Sequence, residues 1–106
     1  MREAIETIHI EDNLDVVVNL LKALSNEKRL LIVCILSKGE RSVGELEEIV
    51  GLSQSALSQH LARLRRDGLV KTRREAQTIY YSLESDQVTQ LLRSLCDIYF
   101  PGKACL

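Results

Sequence analysis

A two-residue break, Gly51-Leu52, separates two stretches that each carry a helix start signal and a helical period of apolar residues. Upstream, Ser42-Val-Gly-Glu45 has the spacing of a capping box, in which a hydroxyl and a carboxylate satisfy each other's orphan N–H groups, and it opens a short helix to Val50. Downstream, Ser53 caps a helix that runs to Asp67. At about 100° per residue, Leu57, Leu61 and Leu64 fall on one side of that second helix. Ser55, Gln59, Ala62 and Arg66 fall on the other, flanked by Ser58 and Arg63. An ordinary solvated helix would carry Glu/Lys pairs there. These short donors and acceptors with arginines suit base edges and phosphates instead. Helix, tight glycine turn, helix is a helix-turn-helix, and Ser53–Asp67 reads as its recognition helix.

The flanking segments complete the pattern. Residues 1–11 are weakly patterned and read as an arm or lead-in, and Asp12 or Asn13 can cap a helix to about Leu24. That helix has one stripe of Leu14, Val17, Val18, Leu21 and Leu24 and a second of Val16, Leu20 and Ala23. Two apolar sides require two partners, the domain's own core and another subunit. Ser25-Asn26 breaks the chain and caps a helix over residues 27–37 that is apolar nearly all round, as befits the centre of a core. After the recognition helix, Asp67-Gly68 is a stop. Residues 69–73 and 79–83 are β-branched and aromatic strand runs joined by Arg74-Glu-Ala-Gln-Thr78, a hairpin with a basic tip. Such a hairpin is a wing. Ser85 then caps a last helix to about Phe100 with a stripe of Val88, Leu91, Leu92, Leu95 and Tyr99, widened by Ile98 and ended by Pro101-Gly102. The expected class is mainly α (α+β), one winged helix-turn-helix domain over residues 1–106 with a tail at 101–106. The order is α-α-α-α-β-β-α, and a homodimer forms through the first and last helices.

Charge supports a nucleic-acid face. The net −1 hides a segregation: residues 1–52 carry six Lys/Arg against ten Asp/Glu, a balance of −4. Residues 53–81 carry six against two, +4, and residues 82–106 two against three, −1. A basic block on a near-neutral chain is the footprint of a phosphate-binding surface. No run of 18 apolar residues is present to span a membrane, and the acidic N-terminus lacks the apolar core of a signal peptide, so a cytoplasmic location is expected. Three cysteines without a CxxC pair favour neither a disulfide framework nor a cysteine-rich zinc site. No Ser/His/Asp order, phosphate loop or paired-carboxylate cleft points to an enzyme.

The assembled features resemble the ArsR/SmtB family of dimeric bacterial transcriptional regulators over roughly residues 14–100. The resemblance is carried by Leu24-Ser-Asn-Glu-Lys-Arg-Leu30, Ser42-Val-Gly-Glu-Leu46, Leu52-Ser-Gln-Ser-Ala-Leu-Ser-Gln-His-Leu61, Leu64-Arg-Arg-Asp-Gly-Leu-Val70 and Arg74-Glu-Ala-Gln-Thr-Ile-Tyr-Tyr81. The third and fourth are similar to the HlyU/BigR/SqrR-like branch, which senses persulfides or oxidants through cysteines. The metal-sensing branches fit poorly. The region used by arsenic sensors, Val43–Val50, has no sulfur or imidazole, and Asp86 and Asp97 of the last helix stand without any His. No metal and no cofactor are expected, with a thiolate site built across subunits as the one metal alternative.

The resemblance implies that Cys34 is one sensing cysteine, because it matches the second-helix position of that branch. The branch's other cysteine aligns with Phe100, so the partner is either Cys96, one turn earlier, or Cys105 in the tail. Physics alone allows Cys34 to be a small buried hydrophobe with an inert thiol. The expected mechanism is a homodimer on a palindromic operator, with Ser55, Gln59 and Arg63 at base edges. Ser53, Gln54, Ser58 and Arg66 would position the backbone, and Arg73, Arg74 and Gln77 would serve the wing. His60, at the stripe boundary, is structural or phosphate-contacting. A reactive sulfur species or oxidant would join Cys34 to Cys96 and release the DNA. The other readings are a family member without a cysteine switch and a winged-helix module that binds protein rather than DNA.

Overall fold

The structure, a computed structural model, describes the backbone of residues 2–102 and the side chains of residues 13–102. Cys105 lies outside them. Eight elements follow in chain order: α1 (Arg2–Leu24), α2 (Glu27–Leu36), β1 (Arg41–Ser42), α3 (Val43–Val50), α4 (Gln54–Arg66), β2 (Val70–Glu75), β3 (Thr78–Leu83) and α5 (Asp86–Tyr99). Two differ from expectation. Helix α1 begins at Arg2 rather than near Asp12, because residues 2–11 contain neither Gly nor Pro and an absent apolar stripe does not stop a helix. Strand β1 was unforeseen: two residues carry no periodicity, and only pairing with β3 makes them a strand.

The helix starts are chemically specific. Asn26 Oδ1 accepts from the Lys28 and Arg29 N–H groups at 2.9 and 3.0 Å. The capping box forms in full, with Ser42 Oγ accepting from Glu45 N at 3.1 Å and Ser42 N donating to Glu45 Oε1 at 2.9 Å. Ser53 Oγ accepts from Ala56 N at 3.2 Å. Ser85 holds the N-cap position of α5, but its hydroxyl makes no capping bond. Gly51 sits at φ 74°, the left-handed turn that ends α3 and lets Ser53, the cap of α4, follow two residues later.

The sheet order is β1-β3-β2, all antiparallel. The hairpin is tighter than the pattern suggested: pairing continues to Glu75↔Thr78, and the turn is Ala76-Gln77 with Ala76 at φ 56°. The core gathers Ala23 and Leu24 of α1, Ile32, Val33, Ile35 and Leu36 of α2, Leu46 and Val50 of α3, and Leu57, Leu61 and Leu64 of α4. Val70 of β2 and Val88 and Leu92 of α5 close it. Helix α2 is central, as its all-round apolar sequence requires. On α1, Leu20, Ala23 and Leu24 face this core, while Val16 and Leu21 are 69% and 54% exposed. On α5, Val88, Leu92 and Cys96 face inward; Tyr99, expected on the stripe, is instead 71% exposed beside Ile98 and Phe100.

Leu57 is fully buried, so Leu57→Ala should cost about 2–5 kcal/mol in urea unfolding. Asn26→Ala should cost about 1 kcal/mol through the missing cap. A Leu57→Ala cost below that of the cap variant would contradict this packing.

Candidate nucleic-acid interface

Sealing Leu57, Leu61 and Leu64 inside turns the opposite side of α4 to solvent. Ser53, Gln54, Ser55, Ser58, Gln59, Ala62, Arg65 and Arg66 are all exposed along it. No acidic residue stands in the first turn of α4, and three arginines, Arg63, Arg65 and Arg66, occupy the last. The outer face ends in an open groove of about 510 Å³ lined by Ser58, Ala62, Arg65, Arg66 and Tyr81. One wall is the recognition helix and the other is the wing. Arg65 and Tyr81 were absent from the residues picked out by sequence. Tyr81 had a legible signal, since Ile79, Tyr81 and Leu83 alternate onto one face of β3.

The cations divide into engaged and available groups. Arg63 donates through Nε to Asp67 Oδ2 at 2.8 Å, which ties it to the end of α4. Arg66 lies 3.9 Å from the same carboxylate, at the edge of ion-pair range. Arg65, Lys71 and Arg74 make no ion pair with a described residue. Arg73 is held most firmly: Nε and Nη2 bond Glu40 at 2.8–3.1 Å, Nη1 bonds Glu75 at 2.8 Å, and the guanidinium stacks 4.4 Å from the Tyr80 ring centroid. The Arg73 bonds hold the Glu40 carboxyl below the usual carboxylate range. Gln77, in the wing turn, is exposed.

His60 is half-buried on the flank of the apolar stripe, away from the outer face. Desolvation and the nearby Arg29 charge push its pKa down, so the imidazole is neutral. Arg29 in turn donates to the Ala23 carbonyl at 2.7 Å, linking α2 to the end of α1. Among the described residues no group of three or more His, Cys, Asp or Glu is gathered to hold a metal ion, and no described helix is long and apolar enough to cross a membrane.

The two described cysteines are not among the residues that line the groove. Cys34 is a free thiol on α2, partly buried against the core, and burial pushes its pKa up. Cys96 is buried on α5 and disulfide-bonded, so it is not joined to Cys34. Its surroundings include Ser37 and Lys38 at the end of α2, with Leu92 and Arg93, around a cavity of about 60 Å³.

Because the depressed His60 value lies below the ordinary 6.5, the unfolded chain takes up that proton first. Stability is then full above the ordinary histidine range and lost as pH falls through the lowered folded value. Between about pH 7.5 and 5.5 the melting temperature of the parent should drop further than that of His60→Gln. Parallel drops would remove the neutral His60 assignment.

Comparison with known proteins gives a consistent picture. Residues 26–72 match the family described as "Bacterial regulatory protein, arsR family". The transcriptional activator HlyU of Vibrio cholerae is 56% identical over 90 residues, covering 85% of this chain and 83% of that protein. The structure of reduced HlyU from the same organism superposes with a TM-score of 0.81 at 54% identity, covering 87% and 97% of the two chains. The transcriptional repressor BigR of Xylella fastidiosa superposes with a TM-score of 0.82 at 43% identity, covering 93% and 96%. A homodimeric winged helix-turn-helix DNA-binding domain, Mb0332 of Mycobacterium bovis, gives 0.75 at 33% identity, covering 83% and 82%.

Proposed function

The chain belongs to the arsR family of bacterial regulatory proteins and is a winged-helix DNA-binding transcriptional regulator; from that premise we propose that it is a homodimeric repressor of a palindromic operator, released by sulfur or oxidant chemistry at Cys34 and Cys96. The observation that carries the DNA-binding part is the outer face of α4 with its basic groove. Two copies of α4 enter successive major grooves, with half-sites about 10 base pairs apart. Ser55, Gln59 and Arg63 approach base edges. Ser53, Gln54, Ser58, Arg65 and Arg66 seat the phosphates, and Arg74 and Gln77 serve the wing.

Dimerisation is supported by the runs of exposed apolar residues on α1 (Leu14, Val16, Val17, Val18 and Leu21) and at the end of α5 (Ile98 and Tyr99), of a kind that marks interaction surfaces. The homodimeric Mb0332 domain supports it by likeness. The switch is supported by likeness to HlyU and BigR, and by Cys96 facing the end of the helix that carries Cys34. Starting from reduced protein, a donor of the class RSSH passes its outer sulfur to one cysteine thiolate and leaves as RSH. The second cysteine attacks the inner sulfur of that protein persulfide, joining the two and releasing hydrogen sulfide. The raised pKa of Cys34 keeps its thiol protonated and slow at rest. Joining α2 to α5 would shift the angle between the two DNA-reading heads. An allosteric coupling of about 1–3 kcal/mol would then lower operator affinity about 5- to 150-fold.

Binding of reduced protein to a mixed-sequence 30-base-pair duplex, followed across salt concentration, tests the interface. Arg66→Ala and Arg74→Ala should each reduce the slope of log affinity against log salt by about 0.9 for every phosphate that is no longer neutralised. An unchanged slope in both removes them from the DNA face, and absence of any duplex binding favours a protein-interaction module. On operator DNA, selected from a random pool, an organic persulfide should release the reduced parent but not Cys34→Ser. Equal release of both would make Cys34 a packing residue in a regulator without this switch.

A further inference from the structure

Arg73 and Arg74 are neighbours in a basic wing, yet the strand pairing sends them to opposite faces. Cross-strand partners share a face, and successive residues alternate. Arg74 pairs with Ile79, and two residues along Thr72 pairs with Tyr81, which lines the groove beside α4. Arg74 therefore belongs to the groove side of the sheet. Arg73 pairs with Tyr80 and belongs to the other side.

On that other side it meets a carboxylate the sheet delivers. Glu40 immediately precedes β1, whose Ser42 pairs with Tyr80 from the edge opposite β2. Glu40 thus reaches across Tyr80 to Arg73 at 2.8–3.1 Å, with Glu75 at 2.8 Å closing the fork from within the hairpin. The planar guanidinium lies on the Tyr80 ring while its edge is spent on the two carboxylates. Ser42 is at once the partner of Tyr80 and the cap of α3, so the bonded unit connects the wing to the start of the helix-turn-helix.

We propose that Glu40, Arg73 and Tyr80 form a clamp that fixes the wing relative to α4, making Arg73 and Glu40 positioning residues rather than phosphate ligands and leaving the wing's phosphate contact to Arg74. The proposal deepens the DNA-binding reading of the same interface and rests on it for its effect on affinity. An arginine already paired with two carboxylates releases no additional counterions when DNA arrives, so its removal leaves the salt slope unchanged. The role needs the fork and the stacking plane, which lysine lacks.

Three variants of the full chain test this: Glu40→Ala, Arg73→Ala and Arg73→Lys. In the free protein, amide hydrogen exchange over residues 70–83 should quicken in all three, with the buried part of α4 unchanged. Both Arg73 variants should weaken binding to the mixed-sequence duplex about two- to fivefold, the range of a broken surface ion pair, with the parent salt slope retained. The clamp is overturned if Glu40→Ala leaves hairpin exchange unaltered. It is equally overturned if Arg73→Ala lowers the slope by about 0.9 per phosphate while Arg73→Lys binds like the parent, the signature of a phosphate ligand. Should the parent bind no duplex, the DNA reading fails while hairpin exchange still decides the clamp.

Discussion

The burial of Leu57, Leu61 and Leu64 sets the orientation of everything this protein presents to a partner. Each such side chain contributes about 1.5–3 kcal/mol on removal from water, and all three lie on one buried stripe of α4, a helix that packs against α2 and β2. Rotating the helix to free its polar face from solvent would expose that stripe. The outer face of Ser55, Gln59, Ala62 and Arg66 therefore points outward by necessity, while the stripe joins the same core as Leu46 and Val50 on the other side of the Gly51 turn.

Electrostatics around that face are less uniform than the count of arginines suggests. Asp67 ties Arg63, while Glu40 and Glu75 tie Arg73. Exposed pairs of this kind contribute little to stability, but they change which cations remain to meet a phosphate. Among the described residues Arg65, Lys71 and Arg74 make no ion pair, and Arg66 is only at the edge of ion-pair range from Asp67; this set is distributed between the end of α4 and the wing. Arg65, Arg66 and Arg74 stand on the groove side and Lys71 on the other, a division that a linear tally of charge cannot reveal.

Helix α2 is the element on which most of the others pack. It packs on α1, α3, α4 and β3, carries Cys34, and reaches α1 again through the Arg29 bond to the Ala23 carbonyl. A change in its contact with α5 meets the recognition helix within one layer of side chains. Under the proposed switch, a bond between Cys34 and Cys96 would bear on α4 through these α2 contacts.

By itself the sequence determined the element types, the helix caps at Asn26, Ser42 and Ser53, the turn at Gly51, the central place of α2 and the outward face of α4. All of these follow from local rules: period, capping chemistry and backbone freedom within a few residues. Tertiary structure alone decided the start of α1, the existence of β1, the exposure of Tyr99, the partial burial of His60, the groove shared by Arg65 and Tyr81, and the pairing of Arg73 with Glu40. The last spans 33 residues, and no local pattern encodes a contact between side chains that only the β1-β3-β2 order brings together. Local sequence thus specified which surfaces exist, and the packing of distant segments decided which of their charges are free to act.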